Sequence, residues 1–140
     1  MAKTFRCTIV TPTGSLLDEP VTYASIPAWD GQMGVMTGGS PVLAKLGAGS
    51  LRLDFPEGGS RWFLLDGGFA QFRRDELTLL SDAALPAEVL SQKEAEAELA
   101  EANARVTQHG ADQQAVQRQQ ARAMAKIALA RDHAGRGGAI

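Results

Sequence analysis

Residues 30–43, Asp-Gly-Gln-Met-Gly-Val-Met-Thr-Gly-Gly-Ser-Pro-Val-Leu, leave this chain few choices of fold. Four glycines and a proline stand among short apolar pieces, so a helix cannot persist here. Gly31 and Gly34 suit one tight turn, Gly38-Gly39 a second, and Met33, Val35 and Met36 leave room for a very short strand between them. Pro41 then restarts an extended run. The apolar content argues against a solvated linker, which leaves turns packed in a β structure.

The same texture covers the chain up to Leu85-Pro86. Before that point lie most of the glycines, every aromatic residue and five of the six prolines. Phe5, Cys7 and Ile9 alternate with Arg6 and Thr8, a half-buried strand over residues 3–10. Thr11-Pro12-Thr13-Gly14 reads as a turn, Leu16-Leu17 as a short strand, and residues 21–26 as another, ended by Pro27. Residues 42–46 run into a Gly47-Ala48-Gly49 turn. Residues 50–55 and 61–65 form a hairpin about Pro56-Glu57-Gly58-Gly59. After Gly67-Gly68 come strands at 69–73 and 77–81. Trp62-Phe63-Leu64-Leu65 is apolar throughout and predicts a strand buried on both faces. About ten short strands in some eighty residues predict an antiparallel β-sandwich over residues 1–85.

Beyond it the chain turns to Ala, Glu, Gln and Arg without a single aromatic. Pro86 suits a first helical turn, and Ser91-Gln92-Lys93-Glu94 has capping-box spacing. Ala95, Leu99, Ala102 and Val106 make a thin apolar stripe that His109-Gly110 stops. Asp112 caps a second helix with the stripe Val116, Ala123, Ile127 and Ala130. So short a connection predicts an antiparallel helical hairpin over residues 86–134, with residues 135–140 a flexible tail. Glu94, Glu98 and Glu101 share a face of the first helix; Arg118, Arg122 and Lys126 form a basic stripe on the second. That stripe can pair with the first helix or with an acidic surface elsewhere.

Catalytic constellations are missing. Both histidines, His109 and His133, fall in the helical part, so the sandwich has no imidazole for a metal or a proton. Cys7 reads as a buried structural thiol rather than a nucleophile. Asp66-Gly67-Gly68 reads as turn chemistry, and no phosphate-cradling or dinucleotide glycine motif occurs. No metal ligands or catalytic residues are expected. A net charge of −2 gives no case for nucleic acid or an anionic membrane surface. One cysteine and an N-terminus without a long apolar run predict a soluble cytoplasmic protein that meets a membrane only through partners.

In order along the chain, Thr8-Ile9-Val10-Thr11-Pro12, residues 31–43, Leu46-Gly47-Ala48-Gly49, Asp66-Gly67-Gly68-Phe69-Ala70 and residues 77–84 resemble the epsilon subunit of bacterial F-type ATP synthase, which corresponds to the mitochondrial delta subunit. The resemblance spans nearly the whole chain. It implies a ten-stranded sandwich with a helical hairpin, peripheral at the cytoplasmic face of the bacterial inner membrane, in the central rotor stalk of a proton-translocating enzyme. It further implies contact with the c-subunit ring through Asp30, Gly31, Gln32 and Met33, and with the gamma subunit through Thr11, Gly38, Gly39, Ser40, Pro41 and Val42. Gln32 stands where the family often has an acidic residue, and Thr37-Gly38-Gly39 where it commonly has Pro-Gly-His. In the family the hairpin can extend into the catalytic head and restrain ATP hydrolysis, which would set Arg118, Arg122 and Lys126 against the alpha and beta subunits. Some members bind ATP through an Ile/Leu-Asp-x-x-Arg-Ala motif; residues 90–95 match it with Ser91 for Asp and Glu94 for Arg, so no cofactor is expected. The alternative is a free-standing sandwich binding module with the hairpin as a dimerisation device; a jelly-roll enzyme ranks third.

Overall fold

The computed structural model describes residues 3–106 and 112–137. Ten strands precede two helices: β1 (Phe5–Thr11), β2 (Gly14–Val21), β3 (Tyr23–Ala28), β4 (Gly31–Met36), β5 (Val42–Lys45), β6 (Ala48–Asp54), β7 (Ser60–Asp66), β8 (Phe69–Arg73), β9 (Glu76–Leu80), β10 (Ala84–Pro86), α1 (Gln92–Arg105) and α2 (Gln113–Gly137). They form two five-stranded sheets, β2-β1-β9-β8-β5 and β10-β7-β6-β3-β4. The inner faces enclose one apolar core: Phe5, Cys7, Ile9, Leu77, Leu79, Ala70 and Phe72 from the first sheet, Ala24, Ile26, Leu51, Leu53, Phe63 and Leu65 from the second. Phe5 and Phe72 meet edge-to-face at 5.4 Å between ring centroids.

Alternation along the strands produces this arrangement, and several elements correct the sequence reading. The sandwich is not wholly antiparallel: β1 runs parallel to β9, Cys7 opposite Leu77 and Ile9 opposite Leu79, a pairing about seventy residues apart in the chain. Residues 14–21 form one continuous strand, because Pro20 lies on the edge strand β2, where no ladder donor is needed. Pro27 does not end β3, which runs on to Ala28. Ala48 and Gly49 belong to β6, opposite Asp66 and Leu65, rather than to a turn. Pro86 ends a strand rather than lying in a first helical turn: Ala84, Leu85 and Pro86 pair with Leu65, Leu64 and Phe63, and a single 3-10 turn, Ala87–Val89, follows before α1. Phe63 and Leu65 face the core, and Leu64 is buried on the other face of β7, as its apolar run predicts.

Only one of the two glycines expected in the first central turn does that work. Gly31 has φ of +134° and closes β3–β4 opposite Ala28, with Trp29 and Asp30 as the two loop residues. Gly34 lies mid-strand; an added Cβ would sit 2.7 Å from the Tyr23 hydroxyl oxygen, so glycine makes room for that ring.

The chain divides into two compact units, Met1–Pro86 and Ala87–Ile140. In the second, the Ser91 hydroxyl accepts from the Glu94 N–H at 3.2 Å and caps α1. Asp112 Oδ1 accepts from the N–H groups of Gln114 and Ala115 and caps α2. Ala95 and Ala102 of α1 and Val116, Ala123, Leu129 and Ala130 of α2 are buried. Val106, expected in the stripe, is exposed at the end of α1. The proposed stop at His109-Gly110 lies outside the described residues. The tail expected from residue 135 is helical through Gly137, since extending an alanine-rich helix by a residue costs far less than starting one.

Candidate docking surfaces

Hydrogen bonds between loops define the two ends of the sandwich. At one end, the Trp29 N–H donates to the Lys45 carbonyl at 2.8 Å, the Leu46 N–H to Gly68 at 2.8 Å and the Gly47 N–H to Pro27 at 2.9 Å. The Ser81 N–H donates to Val10. The β3–β4 hairpin tip therefore shares this end with Thr11, Pro12, Lys45 and Phe69. At the opposite end, the Gly38 N–H donates to Asp75 Oδ1 at 3.1 Å and the Arg6 N–H to the Asp75 carbonyl at 3.0 Å.

Thr11 and residues 38–42, the positions expected to meet gamma, thus lie towards opposite ends of the first sheet. Its outer face joins them. Leu43 is 75 % exposed, Phe69 54 % and Leu80 51 %, and all three point away from the core. Phe69 stands opposite Leu80, Leu80 opposite Val10, and Leu43 opposite Gln71. Val10, Pro12, Phe69, Gly68 and Leu80 line an open cleft of about 460 Å³ flanked by Lys45 and Asp82. Towards the other end the face becomes polar, with Arg73, Glu76, and Arg6 paired to Asp18. Sequence reasoning missed Leu43, Phe69 and Leu80. Their signal was present: each is the apolar residue out of phase with its strand's inward set, a sign of a face that is covered in use.

Asp75, also missed, holds the Gly38 loop. It and Arg74 form the β8–β9 turn at φ of +58° and +51°, a conformation Asp tolerates better than most residues. Its carboxylate takes the Gly38 N–H where Gly38 itself turns at φ of +80°.

At the β3–β4 tip, Trp29 is 71 % exposed and Asp30 and Gly31 are exposed. Gln32 is turned back: its Nε2 donates to the Ser50 carbonyl at 3.1 Å and the Ser25 hydroxyl at 3.3 Å, across its own sheet. Met33 packs against the core.

In the hairpin, Glu98 receives Arg122 Nε on one carboxylate oxygen and Lys126 Nζ on the other, each at 3.0 Å. Burial pushes the Glu98 carboxyl up, but the bonds from Lys126 and Arg122 outweigh it and hold it below the usual range. The basic stripe is divided: Arg122 and Lys126 face α1, while Arg118 is exposed.

Cys7 is fully buried, and burial, then the Asp18 charge, push its thiol up to about 12. Among the described residues no group of three or more His, Cys, Asp or Glu could hold a metal, and no helix is long and apolar enough to cross a membrane.

A two-layer sandwich with an exposed apolar outer face and an exposed Trp29-Asp30 tip, followed by two helices, presents surfaces suited to docking on other proteins. The family model "ATP synthase, Delta/Epsilon chain, beta-sandwich domain" matches residues 4–87, and the chain belongs to that family. It is 41 % identical over 97 residues to the ATP synthase epsilon chain of Rhodopirellula baltica, covering 69 % of this chain and 75 % of that one. With the epsilon chain of Bacillus subtilis it shares 34 % over 110 residues, 79 % and 83 % of the two chains. A chain in the solved Euglena gracilis mitochondrial ATP synthase (OSCP, F1 and c-ring) matches with a TM-score of 0.75 at 25 % identity, covering 94 % of this chain and 81 % of that one.

Proposed function

We propose that this chain is a non-catalytic subunit of the central stalk of an F-type ATP synthase, coupling rotation of the c-ring to the catalytic head through gamma. The observation that carries this reading is the outer face of the first sheet in a chain of this family. Leu43, Phe69 and Leu80 expose apolar surface that water alone does not favour, and a partner burying them gains roughly 25 cal/mol per Å². Gamma docks along this face, with Thr11 at one end and Gly38, Gly39, Ser40, Pro41 and Val42 at the other. The c-ring meets the hairpin tip through Asp30 and Gly31, with Gln32 and Met33 behind them in β4. The subunit works at the membrane surface as a peripheral component of the complex.

Co-purification tests the reading. Leu43→Asp and Phe69→Asp change exposed side chains, so the isolated subunit keeps its melting temperature while gamma retention falls at least about tenfold. Undiminished retention in both variants would remove gamma from this face.

The hairpin acts as a brake on hydrolysis when it leaves its closed state and offers Arg118, Arg122 and Lys126 to acidic segments of the alpha and beta subunits. Truncation after Pro86, which spares β10, leaves assembly intact and raises ATP hydrolysis by the complex. Unchanged hydrolysis would abolish the brake and leave the coupling role standing.

A further inference from the structure

Residues 37–41 carry the chain from β4 in one sheet to β5 in the other. Two consecutive glycines, with Gly38 at φ of +80°, give this crossover wide backbone freedom. Its own contacts restrict it little. The Gly39 N–H donates to the Met36 carbonyl at 3.1 Å, a bond that stays at the end of β4, and the buried Thr37 hydroxyl has no hydrogen-bond partner. Among the described residues, one hydrogen bond ties the crossover to a different part of the sandwich: the Gly38 N–H donates to Asp75 Oδ1 at 3.1 Å. Asp75 stands where local turn chemistry favours another residue. Arg74-Asp75 is a two-residue hairpin loop, Arg73 opposite Glu76, with positive φ at both positions, a conformation that asparagine and glycine fill at lower cost. The Asp75 carbonyl accepts the Arg6 N–H at 3.0 Å, so its backbone is fixed to β1 while its carboxylate reaches the crossover.

We infer that Asp75 is a positioning residue for docking: its carboxylate clasps the Gly38 N–H and holds residues 38–40 in the conformation that gamma meets. The inference rests on the reading above that residues 38–42 belong to the gamma-facing surface. Asp75 acts through the crossover without touching gamma. A turn anchored to β1, β8 and β9 supplies the glycine pair with a restraint that its own sequence lacks. Binding a loop already in place loses less freedom than ordering a loose one on contact. A loop competent for only part of the time weakens the apparent affinity by that fraction. The carboxylate serves here as a hydrogen-bond acceptor, so its charge is dispensable and an amide oxygen at the same position does the same work.

The test measures binding of the full-length subunit to immobilised gamma, together with backbone NMR order parameters of the free subunit. Asp75→Gly keeps the left-handed turn and removes the acceptor, whereas Asp75→Asn keeps both the turn and an acceptor oxygen. In Asp75→Gly the order parameters at Gly38, Gly39 and Ser40 fall from roughly 0.85 to below about 0.6, and gamma binding weakens about five- to tenfold. Asp75→Asn keeps the crossover ordered and stays within about twofold of the wild-type affinity. Should Asp75 instead meet gamma directly through its charge, Asp75→Asn would bind as weakly as Asp75→Gly with the crossover still ordered, and that result overturns the inference. Wild-type gamma affinity in Asp75→Gly would also overturn it, leaving the stalk reading intact. A wild-type subunit that bound no gamma at all would overturn both.

Discussion

Replacing Glu98 by Gln should loosen the helical hairpin by an amount the structure lets one work out. The substitution is isosteric, so it removes charge without opening a cavity. It removes the acceptor's charge from the bonds made by Arg122 and Lys126 and leaves one acceptor oxygen where there were two, because the other becomes an NH2 donor facing a cation. Charge-assisted bonds contribute about 1.5–3 kcal/mol each when shielded, and fully exposed pairs about 0–1 kcal/mol. The side chains of Glu98, Lys126 and Arg122 are 20 %, 21 % and 38 % exposed, so the pair falls between these limits. A loss of roughly 1–2 kcal/mol follows, a five- to thirtyfold rise in the open population. The rest of the helix seam is mostly alanine, with few large side chains to compensate.

Hydrogen exchange on the isolated subunit reads this directly. Amides of α1 and α2 lose about that factor of protection while those of β7 and β6 do not change. The pH dependence has a fixed sign. The Glu98 carboxyl is depressed in the folded hairpin, so its contribution is complete above the ordinary glutamate range and is lost as pH falls through the depressed value. The stability difference between wild type and Glu98→Gln should therefore vanish in acid. Equal protection of the two proteins at pH 7, or a difference that grows as pH falls, would refute the reasoning.

Gly68→Ala should be severely destabilising, since φ is +104° and the new Cβ would sit 1.9 Å from the Leu80 carbonyl oxygen; a loss above about 3 kcal/mol would appear as a melting temperature roughly 15 °C lower. Cys7, its thiol pushed up to about 12, should resist thiol reagents at pH 8 in the native protein and react fully in denaturant. Millimolar ATP should leave the melting temperature of the isolated subunit unchanged within about 1 °C, because Glu98 already engages Arg122 and Lys126 and Glu94 stands where the ATP-binding motif has a cation; a hundredfold excess over Kd would instead add about 2.7 kcal/mol.

Much of this molecule could be read from local rules. Phe5, Cys7 and Ile9 alternate with Arg6 and Thr8, and the pleat alone sends them to opposite faces. Ser91 and Asp112 each precede a helical run with an acceptor at the right distance, and both cap it. The apolar run at 63–65 foretold a strand covered on both faces. What local rules cannot supply is pairing between distant segments. The parallel β1–β9 ladder gathers Val10 and Leu80 onto the outer face of one sheet, where Phe69 and Leu43 join them, though no window of sequence holds all four. Pro86 shows the same limit in reverse: a residue suited to a helix start is claimed by β7 because that strand leaves an edge to be covered.

The sequence by itself settled the class of structure: periods of two, then of three to four, and the turn residues between them act over a few bonds and need no partner. Tertiary structure decided which side chains are spent and which remain available. Gln32 is spent because β3 and β6 bring Ser25 and Ser50 beneath it, Arg122 and Lys126 because α1 brings Glu98 between them, while Trp29 and Asp30 stay exposed at a loop tip. Availability depends on neighbours in space, and those neighbours are brought together by folding.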